Sequence, residues 1–408
     1  MNKNLFTLPN GIRVIHQPSE SEVAHFGLMI NAGSRDETSE QMGVAHFIEH
    51  TLFKGTRKRK AHHILTRLEH VGGELNAYTS KEETCLHASF LKEHAERAFE
   101  LITDVAFNAI FPKEEIAKER TVIIDEINSY KENPSELIFD EFEELLFRNH
   151  SMGWPISGTV ESVSKLNQKD IFNYIKSHYH PENIVFSSAG NLTIEEIHFL
   201  AEKYLNQRKS VNKSMTRTRF KNYKPFQKTV TKHIHQSHCI IGNIGYDVNH
   251  KNRVAMALLN NILGGPGMNS RLNMGIREKY GFAYHLESNY HAFSDTGLFY
   301  IYAGTEKNKM EKAMELIHRE LKKFRDEKLS NLSLKQAKLQ LCGQIAISYE
   351  NKINLMLSAA KNILTYNRNE TFEQISKKIN AIEASQIQEV ANEILNPAKL
   401  STLIYLSS

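Results

Sequence analysis

Two stretches of this 408-residue chain are near copies of each other. ERAFELI (Glu96 to Ile102) and EKAMELI (Glu311 to Ile317) agree at five of seven positions, with Lys for Arg and Met for Phe at the other two. The same order of elements runs around each copy. In the first half GIRVIHQ and VAHFGLMINAG read as strands that end in turn signals, residues 40–52 as a helix, and RKAHHILTRLEHVG as a second helix closed by glycines. LNAYTS and TCLHASFL then alternate as strands, HAERAFELITDVAFN is an amphipathic helix, and PKEEIAKERTVIIDEINSY is another, entered through Pro112. In the second half HCIIGNIGYD reads as a strand, RVAMALLNNILGG as the first helix and SRLNMGIREKYG as the second, with FAYHLESNYHAF and GLFYIYAGT as strands. LEHVGG and IREKYGF form a weaker echo. The stretch between the halves, NQRKSVNKSMTRTRFKNYKPFQ, is polar and basic and lacks apolar periodicity, as a linker does. A chain of this length exceeds one ordinary core. The expected architecture is two related α+β domains, each an antiparallel-rich sheet packed with helices, over residues 1–206 and 227–408 with a linker at 207–226.

Composition narrows the function classes. With 40% hydrophobic and 24% charged residues and only 9 prolines, the chain is neither disordered nor collagen-like. A formal charge of +4, with no basic stripe interleaved with aromatics, gives no reason to expect nucleic acid. Cys85, Cys239 and Cys342 form no CxxC pair and read as reduced, mostly buried thiols. No run approaches the ~18 apolar residues of a membrane helix. The opening MNKNLFTLPNGIRVIHQ moves into a turn at Pro9-Asn10-Gly11, leaving no room for a signal peptide, so a cytoplasmic location is expected.

Chemistry concentrates in GVAHFIEHTLFKGT, whose centre is H-x-x-E-H: His46, Glu49 and His50. Residues at i, i+3 and i+4 share one helix face, so two imidazoles can converge on a tetrahedral Zn2+ and a carboxylate can reach a water there. By chance such a pattern arises in roughly one chain of this length in twenty, so it needs support. The corresponding stretch of the second half, ALLNNILGG, carries no ligand residues. A duplicated fold with the site in one copy only argues for specialisation. Two histidines do not fill a zinc site; Glu119 and Glu126, seven residues apart on the KERTVIIDEINSY helix, are candidates for the third ligand. Taken singly, either is more simply an acid on a solvated helix face.

HFIEH at 46–50, GGELNAYTSKEET at 72–84, ERTVIIDEI at 119–127 and SRLNMGIREKYGFAY at 270–284 together make the sequence resemble the pitrilysin/insulinase family of zinc metallopeptidases, the inverzincins. It looks most like the mitochondrial-processing-peptidase branch and its bacterial relatives, and the matching motifs span both halves. The resemblance implies that His46, His50 and Glu126 bind one Zn2+ per chain, that Glu49 is the general base, and that Glu119 is a carboxylate steadying a ligand histidine. It implies that GGELNAYTS is an exposed edge strand to which an extended peptide adds, with Gly73, Asn76 and Ala77 meeting the substrate main chain. Arg277 and Tyr284 match the family's Arg/Tyr pair, suited to the substrate carbonyl and the developing oxyanion. It further implies a clamshell chamber built by a homodimer, in which the second domain is an inactive homologue. The function expected on this basis is a zinc-dependent endopeptidase acting on peptides or unfolded segments. The alternatives are a catalytic subunit of a heterodimeric processing peptidase, a non-catalytic assembly subunit, and, more distantly, a peptide-binding module with structural zinc. GGPGMNSR lacks the Gly-Lys-Ser/Thr ending of a phosphate loop. His62, His63, His178 and His180 lie among polar neighbours and read as surface residues; the basic run TRKRK reads as a solvated loop, and the acidic DEFEELL as a solvated helix face, the alternative being an acidic wall that attracts basic peptides.

Overall fold

The first sheet of the computed structural model, which describes residues 4–206 and 216–408, has six strands. These are β1 (Leu5–Thr7), β2 (Arg13–Pro18), β3 (Val23–Ile30), β4 (Glu74–Thr79), β5 (Thr84–Leu91) and β6 (Ile184–Gly190), in the order β1-β2-β6-β3-β5-β4. Only β2 and β6 run parallel. Central β3 is buried from Ala24 to Ile30, the mark of a strand covered on both faces. On one face Phe26 packs against Phe90, Phe99 and Phe186. The main core there is completed by α1 (Val44–Leu52), α2 (Ala61–Glu69), α3 (Ala95–Asn108) and α4 (Lys113–Glu132). On the other face Ile15, Met29, Cys85 and Val185 are covered by Ala359, Ala360 and Ile363 of the helix Lys352–Tyr366. That helix comes close: a Cβ at Gly27 would stand 2.4 Å from the Met356 Sδ, so only glycine fits there without displacing Met356.

The second sheet contains β7 (Gln227–Lys232), β8 (Ser237–Gly245), β9 (His285–Ala292), β10 (Gly297–Thr305) and β11 (Ser401–Ser407), in the order β7-β11-β8-β10-β9. Substituting β7, β11, β8, β10 and β9 for β2, β6, β3, β5 and β4 reproduces the first sheet's order apart from its extra edge strand β1, down to the parallel pairs β2–β6 and β7–β11. The duplication read from ERAFELI and EKAMELI is thus a duplication of topology. One face buries the helices Arg253–Gly264, Met310–Asp326 and Ala384–Ile394. The other face, with Ile240, Leu298, Tyr302, Leu403 and Tyr405, is covered by Ile138, Phe142 and Leu146 of α5 (Pro134–Leu146).

Each sheet is therefore backed by a helix from the opposite half of the sequence. One unit comprises Met1–Asn128, Trp154–Arg217 and Ile347–Asn369; the other comprises Ser129–Gly153, Thr218–Ala346 and Glu370–Ser408. Of the expected linker, residues 207–215 lie outside the described residues. The remainder is not featureless. Arg217 makes two 2.9 Å bonds to Asp36 in the first unit, while Phe220, Tyr223 and Phe226 pack into the α5-backed core of the second. Among the described residues no helix is long and apolar enough to cross a membrane.

Candidate metal centre

Helix α1 begins at a residue that has to be glycine. Gly43 is left-handed at φ +87°, and a Cβ there would lie 2.6 Å from the Ser157 carbonyl oxygen. Its N–H and that of Ala45 donate to the two oxygens of the buried Glu37 carboxyl, at 2.7 and 2.9 Å. Val44, Ala45, Phe47, Ile48, Thr51 and Leu52 take the core-facing positions of this nine-residue helix. His46, Glu49 and His50 are left on the remaining, half-buried face. Gly43→Ala is expected to cost about 1–3 kcal/mol through the left-handed backbone alone. A thermal melt that matches wild type would show that the turn can relax.

Helix α4 brings the carboxylates. Ile116, Ile123 and Ile127 anchor it in the core, and Glu119 and Glu126 come to the face that meets α1. One Glu126 oxygen lies 3.4 Å from His50 Nε2 and the other 3.9 Å from His46 Nε2. The potential ligand atoms of His46, His50 and Glu126 all fall within 4.8 Å of one another, the only such cluster among the described residues. Behind it Glu119 receives His50 Nδ1 at 3.3 Å on one oxygen and Lys54 Nζ at 2.6 Å on the other. Burial, reinforced by neighbouring His50, lowers His46 to about 4, so its imidazole is neutral at neutral pH, the form that binds metal. Burial also raises Glu49. Hydrogen bonds from Thr79 and the nearby His50 pull it back, and Glu126 pushes it up again. Two imidazole nitrogens and one carboxylate oxygen, with no fourth His, Cys, Asp or Glu joining them among the described residues, suit Zn2+ with one position left for water or substrate.

Strand β4 ends its sheet and, among the described residues, pairs only with β5, so its outer edge carries no further strand there. Asn76 and Ala77 lie on it. Gly73 precedes it, tight against its own sheet, where a Cβ would lie 3.0 Å from the Ser89 carbonyl oxygen. The strand runs beside α1, with Thr79 Oγ1 3.5 Å from the Ala45 carbonyl. Arg277 and Tyr284 belong to the second unit. Arg277 sits on a π-helical turn, Asn273–Glu278, inside the helix expected over SRLNMGIREKYG; such turns are frequent at functional sites. Tyr284 is 62% exposed and donates to Glu306 at 2.7 Å.

The histidine readings need correction. His62 and His63 are exposed, but His180 is only 7% exposed, and His178 is half-buried with its Nδ1 2.9 Å from the Tyr174 carbonyl. Both lie where the helix Gln168–His178 turns back into β6, and polar sequence neighbours do not report that packing. Three residues bonded to the helix or the carboxylates of this cluster were not singled out in the sequence. Glu37 and Thr79 act through backbone and short-range bonds that leave no pattern, whereas Lys54 stood one helical turn after His50, a legible signal.

The profile of the insulinase family (peptidase family M16) matches residues 13–160, and that of the peptidase M16 inactive domain matches residues 165–341. The second label agrees with a duplicate half that lacks the ligand motif. The uncharacterized zinc protease YmxG of Bacillus subtilis is 32% identical over 393 residues, 95% of either chain. An uncharacterized zinc protease of Rickettsia felis is 33% identical over 410 residues, covering 99% of this chain and 97% of its own. Among solved structures, a protease from Helicobacter pylori superposes with a TM-score of 0.91 at 22% identity, over 98% of each chain. A peptidase M16 inactive domain from Pseudomonas fluorescens gives 0.92 at 19% identity, over 100% of this chain and 98% of that one. These two share the fold. With relatives above 30% identity along nearly its whole length and adjoining family profiles over both halves, the chain belongs to peptidase family M16, the insulinase family.

Proposed function

We propose that the protein is a zinc-dependent endopeptidase that hydrolyses peptides or unfolded segments. One observation carries this reading: His46 and His50 of α1 and Glu126 of α4 converge beside Glu49, and α1 packs against β4, the terminal strand of its sheet. Zinc, when bound, supplies a Lewis acid that polarises the scissile carbonyl and makes water acidic near neutral pH. His46 and His50 present their Nε2 atoms and Glu126 a carboxylate oxygen. Glu119 accepts from His50 Nδ1, which fixes the tautomer and directs Nε2 forward, and Lys54 holds Glu119 in turn. Glu49 takes the proton of the attacking water and returns it to the leaving amine. The free edge of β4 takes an extended peptide through main-chain hydrogen bonds, with Asn76, Ala77 and Gly73 along that stretch. Arg277 and Tyr284 bind the carbonyl region as negative charge develops, and the working assembly is a cytoplasmic homodimer enclosing a chamber.

The direct test incubates an unstructured peptide mixture with the purified chain, with and without chelator. One zinc per chain, cleavage stopped by chelator and cleavage restored by zinc are expected. A zinc-loaded chain that leaves every peptide intact would overturn the reading.

The homodimer has its own test. Glu49→Gln and Tyr284→Phe chains, each inactive alone, are mixed under conditions where subunits exchange. If the base of one subunit works with Arg277 and Tyr284 of the other, half the dimers are mixed and each regains one intact site. Activity then returns to roughly a quarter of wild type. No recovery despite demonstrated exchange would rule out shared sites.

A further inference from the structure

The loop before the metal helix holds a carboxyl that the chemistry above does not use. Glu37 is 7% exposed, and burial pushes its carboxyl well above the usual range, against the pull of the Ala45 and Gly43 amides and of Lys81. A group so placed is costly unless its bonds are needed. Its two oxygens accept from the N–H groups of Gly43 and Ala45, at the very start of α1. These are among the four amides that a helix leaves without an internal partner, and the Glu37 oxygens supply the missing acceptors.

The loop that carries Glu37 is itself bound to the end of β4. The Ser34 and Arg35 N–H groups donate to the carbonyls of Ser80 and Lys81, immediately after that strand, at 3.0 and 2.8 Å. Tyr174 donates to the Gly33 carbonyl at 2.8 Å. Asp36 accepts from the Gly33 N–H at 3.0 Å and from Arg217 through both oxygens. A Cβ at Gly33 would lie 2.3 Å from the Ser80 carbonyl, so the loop lies directly on the strand's exit. One short loop is thus bonded both to the exit of the edge strand and to the entrance of the helix that bears His46, Glu49 and His50.

We propose that Glu37 is a positioning residue for the metal centre: its carboxyl, accepting from both amides, fixes the first turn of α1, and with it the aim of His46, Glu49 and His50, relative to β4. His46 lies one residue after Ala45, so a shift of that turn is passed directly to a ligand. Lys81, whose Nζ donates to the Trp154 carbonyl at 2.6 Å, and Asp36 are the charged groups that face Glu37 from the elements around it. The kinetic part of this inference rests on the peptidase reading; the binding and exchange parts do not.

The test uses Glu37→Gln in the full chain. Glutamine keeps one acceptor oxygen but turns an NH2 toward a backbone N–H, so the turn loses a bond and gains a repulsion. Zinc titrated against a chromophoric chelator should bind about ten- to hundredfold more weakly, the usual loss when a supporting partner behind the ligands is removed. kcat should fall with KM unchanged, because β4 still receives the peptide. Hydrogen exchange should quicken at residues 43–47 while the amides of β3 keep their wild-type protection. Wild-type zinc affinity together with wild-type exchange at 43–47 would overturn the proposal. So would an equal loss of protection across β3 and α1, which would mark a merely structural residue. If Glu37→Gln does not fold, Glu37→Asp, with both oxygens set back by one methylene, is read in the same way. A wild-type chain that binds zinc but cleaves nothing removes the peptidase reading, and Glu37 is still judged by zinc affinity and exchange. A wild-type chain that binds no zinc overturns both.

Discussion

Glu49→Gln protein is expected to purify with its zinc, bind peptide as wild type does, and turn it over about 10²- to 10⁴-fold more slowly, the usual cost of removing a general base. The amide has nearly the carboxylate's shape, so the packing of α1 is preserved. Glu49 is not among the three groups whose ligating atoms converge, so the metal has no reason to leave. What the substitution removes is a proton acceptor. The hydrogen bonds from Thr79 that now reach the carboxylate have a poorer acceptor in the amide, so some reorientation is expected at that spot. The deciding measurement is kcat on a single fluorogenic peptide, with zinc content determined on the same sample. A fall of less than about tenfold would remove Glu49 from the role of base.

Glu126→Gln should act by the other route and abolish activity by losing the metal. A neutral amide is a poor zinc ligand, and two imidazoles alone leave the site a donor short. The same change relieves Glu49 of a neighbouring negative charge, one of the influences that raises its pKa, so the base itself would be no worse placed to ionise. Loss of activity in this variant should therefore track zinc content and be partly recovered at high zinc concentration, whereas Glu49→Gln should not respond to added zinc. Unchanged zinc content in Glu126→Gln would take Glu126 out of the site.

What could be read in advance depended on whether a residue's partner was local. His46, Glu49 and His50 could be grouped from spacing alone, because one helix face carries them and the other residues of α1 are buried. Glu126 follows His50 by 76 residues. Its spacing made it a candidate equal to Glu119, and only the family resemblance separated the two roles. In space the two carboxylates do differ: Glu126 faces both Nε2 atoms, while Glu119 faces Nδ1 of His50 and Lys54. Glu37 was illegible because its partners are backbone amides, which every sequence has. The π-helical turn at Asn273–Glu278 was hidden for a related reason, since one widened turn hardly changes the apolar spacing that signals a helix. That the two sheets share one strand order followed from the duplication, but the order itself came only with the structure. The destination of α5 and of the helix Lys352–Tyr366 did not: an amphipathic pattern says that a helix has an apolar face, but not which sheet that face will meet.

The backing of each sheet by a distant helix has a consequence for how the chain comes off the ribosome. Every strand of the first sheet has been made once Gly190 is in place, but the helix that closes its back begins at Lys352, 162 residues later. At about 5–20 residues per second, Ile15, Met29 and Val185 stay bare for roughly ten to thirty seconds of synthesis. α5 meanwhile emerges before any strand of the sheet it will cover, with Ile138, Phe142 and Leu146 facing water. For that interval the nascent chain carries two open apolar surfaces, each awaiting a segment that has yet to be translated. Such surfaces are natural points of capture for a chaperone, and a stall in translation between residues 190 and 352 would leave them exposed for as long as it lasts.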